Sequence, residues 1–327
     1  MKCQVLVDWL TFTVKNTSDP HEVIREYLHM DPDLFQEMGF GFNGYTNSYF
    51  FNDIRVNFAP RENAFFHDMG VNVVMSGNGC RTFELMSRLG KDDADSAFPL
   101  LFQALAGNIN VNVSRLDIAC DDKEEMLDMG EMVRKVQENE INSRMTRRSV
   151  VVSWNGTERN GSTVYIGSPS SDFRIRIYDK ALEQGEDGHW VRVEMVLRAE
   201  HAQGFVDQAV VSETVGQLAA QVINDKFAFI ERDDANISRC TVCDWWQVFV
   251  DELEAVRLVA REVVQHSVER VSFWIEDQVG PSLAMLFQTM GWPKIYEIAH
   301  DAQRRLSDKQ VAIIEDYNRF SRARARA

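Results

Sequence analysis

No run of apolar residues in the 327-residue chain approaches the roughly 18 that a membrane span needs. That excludes a membrane-spanning helix, and no membrane partner is expected. The opening Met1-Lys2-Cys3-Gln4-Val5-Leu6-Val7-Asp8 turns acidic too soon for a secretory leader, which makes a cytoplasmic protein the expectation. Cysteine is scarce and odd in number: Cys3, Cys80, Cys120, Cys240 and Cys243. This argues against a disulfide framework. Cys240-Thr-Val-Cys243 is a lone CxxC with no second pair or neighbouring histidine. It therefore lacks the ligands of a structural zinc site and reads as two reduced thiols beside a helix start. No repeat or low-complexity block is present. Positive charge is also short: 35 Lys and Arg stand against 50 Asp and Glu, for a net charge of −15. An acidic whole disfavours polyanions. The balance is uneven, however. Residues 144–198 carry nine basic and seven acidic side chains, a local +2 that leaves −17 for the rest. The last nine residues hold four arginines and no acid.

What remains is the composition of a soluble globular chain, 45% hydrophobic and 26% charged, long enough for one large domain and a smaller one. Residues 4–14 are rich in β-branched and aromatic types and read as a strand. Asp19 and Pro20 cap and open a helix over 20–30. Residues 39–83 alternate aromatics with Gly and Asn and read as hairpins, with Asn43-Gly44 and Asn78-Gly79 as turns. Helices are expected at about 83–88, 95–106 and 123–138, with a strand over 109–121. Four antiparallel strands follow at 150–154, 162–168, 173–180 and 189–198. Beyond Glu200 the spacing turns helical, with a polar link over 230–243 and breaks at Gly280-Pro281 and Gly291-Trp292-Pro293. The expected fold is α+β: a central curved antiparallel β-sheet with flanking helices in a body of residues 1–235, then an all-helical accessory segment over 236–327.

Side chains two apart on a strand share a face. Arg115, Asp117 and Asp121 then lie opposite Leu116, Ile118 and Cys120. Arg174, Arg176, Tyr178 and Lys180 lie opposite Phe173, Ile175 and Ile177. Arg192, Glu194 and Arg198 lie opposite Val191, Val193, Met195 and Leu197. If the three strands are neighbours, the charged faces form one platform. A solvated sheet face is the ordinary alternative. Arginine recurring in mid-strand beside isolated carboxylates, with Tyr178 in the charged row, argues for more. Arg and Lys suit phosphate oxygens. Two or three carboxylates suit a hard divalent ion, Mg²⁺ or Mn²⁺. A tyrosine oxygen beside such an ion can be activated as a nucleophile.

These pieces, in order, are VDWLTFTV near the start, GFNGY at 41–45, SRLDIACD at 114–121, YIGSPSS at 165–171, RIYDK at 176–180 with Glu183 following, and VRVEMVLR at 191–198. Over roughly residues 5–230 the set resembles the Rep-trans family, the rolling-circle replication initiators of plasmids and the related relaxases of integrative and conjugative elements. The resemblance implies a site-specific single-strand DNA endonuclease and strand transferase. In that family a tyrosine attacks an origin phosphodiester, leaving a 5′-phosphotyrosyl link and a free 3′-hydroxyl. It makes Tyr178 the nucleophile. Asp117 and Glu194 become ligands of a divalent metal, with Asp8 and Asp121 as lesser candidates. Arg115, Arg174, Arg176, Lys180, Arg192 and Arg198 would hold phosphates. The family uses acidic ligands instead of a His-hydrophobic-His pair, and no two of the seven histidines here lie two residues apart. The partner implied is origin DNA, single-stranded or extruded in a hairpin. A helicase or other replication or transfer protein, and a second copy of the chain, are further expected partners.

The sequence departs from the pattern in places. The serine-rich loop reads Gly167-Ser168-Pro169-Ser170-Ser171, where Ser168 and Ser170 would cradle phosphate with the backbone N–H groups. The segment before Asp8 is too short for a helix-turn-helix, and the helical C-terminal segment has no counterpart. Trp245, Trp246, Phe249, Leu253 and Val256 fall at helical spacing and read as core, as do Trp274 and Trp292. The terminal Arg-Ala repeat reads as a solvated tail. Tyr45 is a candidate for stacking on a base. Two alternatives stay open. One is a non-catalytic origin-binding or regulatory protein on the same fold. The other is an unrelated α+β protein whose charged sheet face binds a different acidic ligand.

Overall fold

A computed structural model describes residues 3–59, 69–87, 97–254, 275, 279–306, 311 and 314. The chain divides into two compact units, Met1–Arg261 and Glu262–Ala327. The first unit contains strands β1 (Cys3–Val14), β2 (Gln36–Met38), β3 (Asn47–Phe51), β4 (Ile54–Phe58), β5 (Val71–Met75), β6 (Val111–Asp122), β7 (Ile141–Ser143), β8 (Arg148–Asn155), β9 (Glu158–Ile166), β10 (Phe173–Asp179), β11 (Val191–Arg198) and β12 (Phe227–Phe229). Its helices are α1 (Pro20–Glu26), α2 (Gly77–Met86), α3 (Phe98–Leu105), α4 (Met129–Gln137), α5 (Lys180–Gln184), α6 (Ala199–Ala209), α7 (Val215–Lys226) and α8 (Asp244–Glu254).

Ten strands form one antiparallel sheet in the order β2-β3-β4-β5-β1-β6-β11-β10-β9-β8, and β7 and β12 form a second, small one. The four strands read from the second half of the sequence are therefore consecutive, and β11 seats them on β6. Paired residues on neighbouring strands share a face. One apolar row crosses the sheet through Ile54, Met75, Leu10, Leu116, Leu197 and Phe173. Helices cover this face: Tyr27, which ends α1, packs on Phe12, and His201 of α6 packs edge-on against Phe173. The other face carries the charged rows.

Two bulges break the regular pairing of the central strands. On β1, Val7 pairs with Ile118 and Trp9 with Asp117, so Asp8 is the extra residue. On β6, Ser114 is the extra residue between Val113 and Arg115. Each bulge moves the alternation along by one. The buried side of β1 changes from Val5 and Val7 to Leu10, Phe12 and Val14.

Several local expectations are refined. Asp19 caps α1 by accepting from the backbone N–H groups of His21 and Glu22, but the helix stops at Glu26. The helix expected over 123–138 is confined to α4, because Asp128 caps it by accepting from Glu131 N–H. Asn78-Gly79 is the start of α2, not a turn. A Cβ on Gly79 would stand 2.2 Å from the carbonyl oxygen of Asp53, so the glycine serves close helix packing. The true tight turn joins β3 to β4, where Asn52 and Asp53 both take positive φ. Tyr45 is buried and donates from its hydroxyl to the Met69 carbonyl at 2.8 Å, so it is not open to a base. All five cysteines are free and buried. The first unit runs past the expected boundary at 235, because α8 buries Trp246, Phe249, Val250 and Leu253 in its core.

In the second unit, α9 (Gly280–Gln303) opens with Pro281 in its first turn and is interrupted at Gly291, whose φ of 74° is left-handed. Trp292, expected as core, is 65% exposed. Val256, Trp274 and the terminal Arg-Ala repeat lie outside the described residues. No described helix is long and apolar enough to cross a membrane.

Candidate active site

The charged rows of β6, β11 and β10 meet on the face opposite the apolar row, as strand parity predicts. Tyr178 lies opposite Arg192 on one side and Thr163 on the other. It is 6% exposed, and its hydroxyl donates to Glu194 Oε2 at 3.2 Å. Arg176 donates to the same oxygen at 2.6 Å. The Arg176 guanidinium lies 4.9 Å from the Tyr178 ring centre and the Lys180 ammonium 5.6 Å. Lys180 also pairs with Glu183. Glu194 is fully buried. Its second oxygen, Oε1, has no hydrogen-bond partner among the described residues.

Two further carboxylate clusters flank this centre. Arg115 grips both oxygens of Asp117, at 3.0 and 2.7 Å, and stacks over Trp9 at 4.1 Å. The buried Arg192 forms a fork on Asp121, at 2.6 and 2.8 Å, and reaches Asp8 at 2.9 Å. Strict alternation would turn Asp8 into the apolar side with Leu10, and the bulge turns it toward Arg192.

The electrostatics follow from burial. Burial raises the Glu194 carboxyl above its ordinary pKa, against the pull of Arg176, and the charges of Asp8 and Asp117 add to the rise. Asp117 is raised in the same way, with Arg115 opposing. Tyr178 is raised well above an ordinary phenol by burial and by Glu194, with Arg192 and Arg176 opposing. Burial would lower Arg176, but Glu194 more than offsets it and the net shift is upward. Glu194 therefore feels the like charges of Asp8 and Asp117, and Asp117 that of Asp8, in a poorly solvated hollow.

The donors suit a hard divalent cation in kind, being carboxylate oxygens, and Glu194 Oε1 is a buried acceptor with unused capacity. Among the described residues no three Asp, Glu, His or Cys side chains converge as a finished ligand set. Arginines hold the carboxylates instead.

Four expected phosphate contacts lie elsewhere. Arg174 stacks over Tyr165 at 4.0 Å, four residues along β10 from Tyr178, or about 13 Å at 3.3 Å per residue. Arg198 donates to the carbonyls of Pro169 and Ser171 at 3.2 and 3.0 Å, and Ser168 and Ser170 pair with each other at 3.1 Å. Arg198 thus closes the serine loop at the far end of the strands, so these groups form a second cluster separate from the Tyr178 centre. Trp9 and Tyr165, which carry two of the arginines, escape a reading by parity. The signal for Trp9 was its place beside Asp8, where the buried alternation slips.

Two family models match the chain. The model described as replication initiation factor covers residues 111–308. The one described as rolling circle replication initiation protein N-terminal domain covers residues 4–96. A protein of Bacillus subtilis (strain 168) named as a DNA relaxase, NicK, is 27% identical over 328 residues, spanning 95% of this chain and 89% of that one. The solved structure of a rolling circle replication initiator protein from Geobacillus stearothermophilus aligns with a TM-score of 0.69 and 27% identity, covering 78% of this chain and 98% of that one.

Proposed function

Because the chain belongs to the replication initiation factor family of rolling-circle initiators and relaxases, we propose that it nicks one strand of origin DNA with Tyr178 as nucleophile. The observation that carries this reading is the 3.2 Å contact from the Tyr178 hydroxyl to Glu194, with Arg176 on the same carboxylate oxygen. The phenol oxygen attacks phosphorus and its proton passes to Glu194, whose raised pKa suits it to accept. The bond from phosphorus to the 3′-oxygen breaks. That oxygen leaves as a hydroxyl after taking a proton from solvent, and the 5′-phosphate stays on Tyr178. Arg176 and Lys180 flank the ring and face the charge that builds on the phosphoryl oxygens. The phosphotyrosyl bond is a phosphodiester, so attack by a 3′-hydroxyl reverses the step and rejoins a strand.

Asp8, Asp117 and Glu194 are the residues that would hold Mg²⁺ or Mn²⁺, with Asp121 kept in place by Arg192. Such an ion supplies positive charge that favours the phenolate and the transferring phosphoryl group. The substrate is origin DNA presented unpaired or as an extruded hairpin. A helicase and a second copy of the chain are the partners such a nick would call on.

The test is incubation of supercoiled plasmid carrying the cognate origin with Mn²⁺, followed by denaturing electrophoresis. A detergent-resistant protein–DNA adduct is expected, and Tyr178→Phe should abolish it. Undiminished adduct in that variant moves the nucleophile elsewhere. Binding to the origin with no adduct under any metal leaves a regulatory DNA-binding protein.

A further inference from the structure

Residues 39–46 form a loop that presents two phenylalanines to water. Phe40 and Phe42 are 49% and 51% exposed, with their rings 6.0 Å apart and nearly perpendicular. Isolated exposed aromatics are ordinary. These two are held by a built scaffold. The Phe42 backbone N–H donates to the side chain of the buried Asn57, and the buried Ser48 hydroxyl donates to the Phe40 carbonyl. At Gly41 a Cβ would stand 2.6 Å from the Tyr45 carbonyl oxygen, so only glycine permits the close turn between the two rings. The loop uses buried polar groups to keep apolar rings outward.

Between the rings lies a cation. The Arg55 guanidinium is 5.6 Å from the Phe40 ring centre, 4.6 Å from Phe42 and 4.8 Å from Phe50, and it is steadied by Ser48 at 2.9 Å. It forms no ion pair among the described residues, although burial weakens its hold on its proton and the charge of Asp53, two residues back, partly offsets that. Arg55 pairs across the sheet with Val74, then Thr11, then Arg115, which places it on the same face as the Tyr178 centre. Five strand steps separate β4 from β10, about 24 Å at 4.8 Å each, and the row of Arg55 and Arg115 meets β11 at Arg198, six residues or about 20 Å along the strand from Arg192 beside Tyr178. Arg115 on Trp9 lies between, on that same face.

Flat rings and a guanidinium with no partner carboxylate match unpaired nucleotides, whose bases stack and whose phosphates need cations. They do not match an acidic peptide, which offers no rings, or a duplex, whose bases are already stacked. We infer that Phe40, Phe42 and Arg55 form a base-stacking clamp for the unpaired strand that leads to Tyr178, with the Trp9–Arg115 pair as an intermediate step. This rests on the nicking reading for its location but not for its chemistry.

The probe is fluorescein-labelled dT20, titrated with the full chain and read by anisotropy. The double variant Phe40→Ala/Phe42→Ala is expected to bind about tenfold more weakly or worse. Phe42→Trp should keep wild-type affinity. Arg55→Gln should reduce the slope of log K against log salt by about 0.7. Ile109→Ala, an exposed residue elsewhere, is the control for nonspecific loss, and circular dichroism melting confirms that each variant is folded. Equal affinity in the double alanine variant, equal loss in the control, or no binding of dT20 by the wild type overturns the clamp. If the wild type forms the covalent adduct while the double variant binds unchanged, the clamp alone fails. If binding depends on the rings but no adduct forms, the nicking reading alone fails.

Discussion

Glu194 is buried as a carboxylate that its surroundings only partly repay. Arg176 pulls its pKa down, while burial and two neighbouring carboxylates push it up, and the net direction is upward. A raised acid binds its proton more tightly in the folded state than in the unfolded one. Its contribution to stability is therefore complete below the ordinary glutamate pKa, about 4.3, and is lost as pH rises through the elevated folded value. Glu194→Gln is accordingly expected to melt at a higher temperature than the wild type at pH 8, with the difference shrinking as pH falls toward 4. It should also cut adduct formation by about 10²-fold or more, through loss of the proton acceptor. Melting in the presence and absence of Mn²⁺ extends the test, since an ion bound only by the folded state raises the melting point. That rise is expected for the wild type at pH 8 and should be absent in the variant. A variant less stable than wild type at pH 8 would show that Arg176 outweighs the burial cost. At this scale the site was largely legible, because a two-residue period assigns Arg115, Asp117, Arg176, Tyr178 and Glu194 to one face without further information. The same period says nothing of distance along the strand. Hence the period puts Arg174 in the row of Tyr178 and Arg198 in the row of Glu194, and the fold sets both apart from that centre.

Elements explain what single residues leave open. In β1 the positions that join the main apolar core are Cys3, Val5 and Val7, then Leu10, Phe12 and Val14, a slip of one that no uninterrupted strand can make. The extra residue that absorbs it is Asp8, so the device that continues the core row also delivers a carboxylate to Arg192. In β6 the slip at Ser114 does the same work between Val113 and Leu116. Removing the Asp8 codon should join Val7 and Trp9 into regular pairing with Ile118 and Asp117. The variant is expected to fold with a cooperative melt, costing about 1–3 kcal/mol, while losing adduct formation. Deleting Thr11 instead would send Leu10 and Phe12 to opposite faces, and that chain is expected not to fold. Equal damage from the two deletions, measured by circular dichroism, would refute the bulge account. Alternation was visible in the sequence, but a bulge is a change of phase. It becomes readable only when the partner strand fixes which phase faces the core.

For the whole molecule the decisive question is where the first unit ends. A polar stretch over 230–243 resembles a linker, which is why the sequence suggested a body ending at 235. In the fold this stretch turns back on itself. Ile230 bridges Val242, the Glu231 N–H donates to the Thr241 carbonyl, and the Cys243 N–H donates to the Phe229 carbonyl. The return delivers α8 to β12, where Trp246 packs on Phe227 and Phe229 at 4.8 and 5.1 Å. Helical spacing had marked Trp246, Phe249 and Leu253 as a buried face but not what they are buried against, since the period of a helix carries no address. Loss of one such large core side chain costs about 3–5 kcal/mol, and a domain has about 5–15 kcal/mol in total. A chain cut after residue 235 leaves Phe227 and Phe229 uncovered and is expected to aggregate or to melt without a cooperative transition. A chain cut after residue 261 keeps every described contact of the first unit and should melt cooperatively. Scanning calorimetry of the two fragments, with limited proteolysis of the full chain, separates the cases. If the shorter fragment melts like the longer one, α8 is an appendage and the core does not need it.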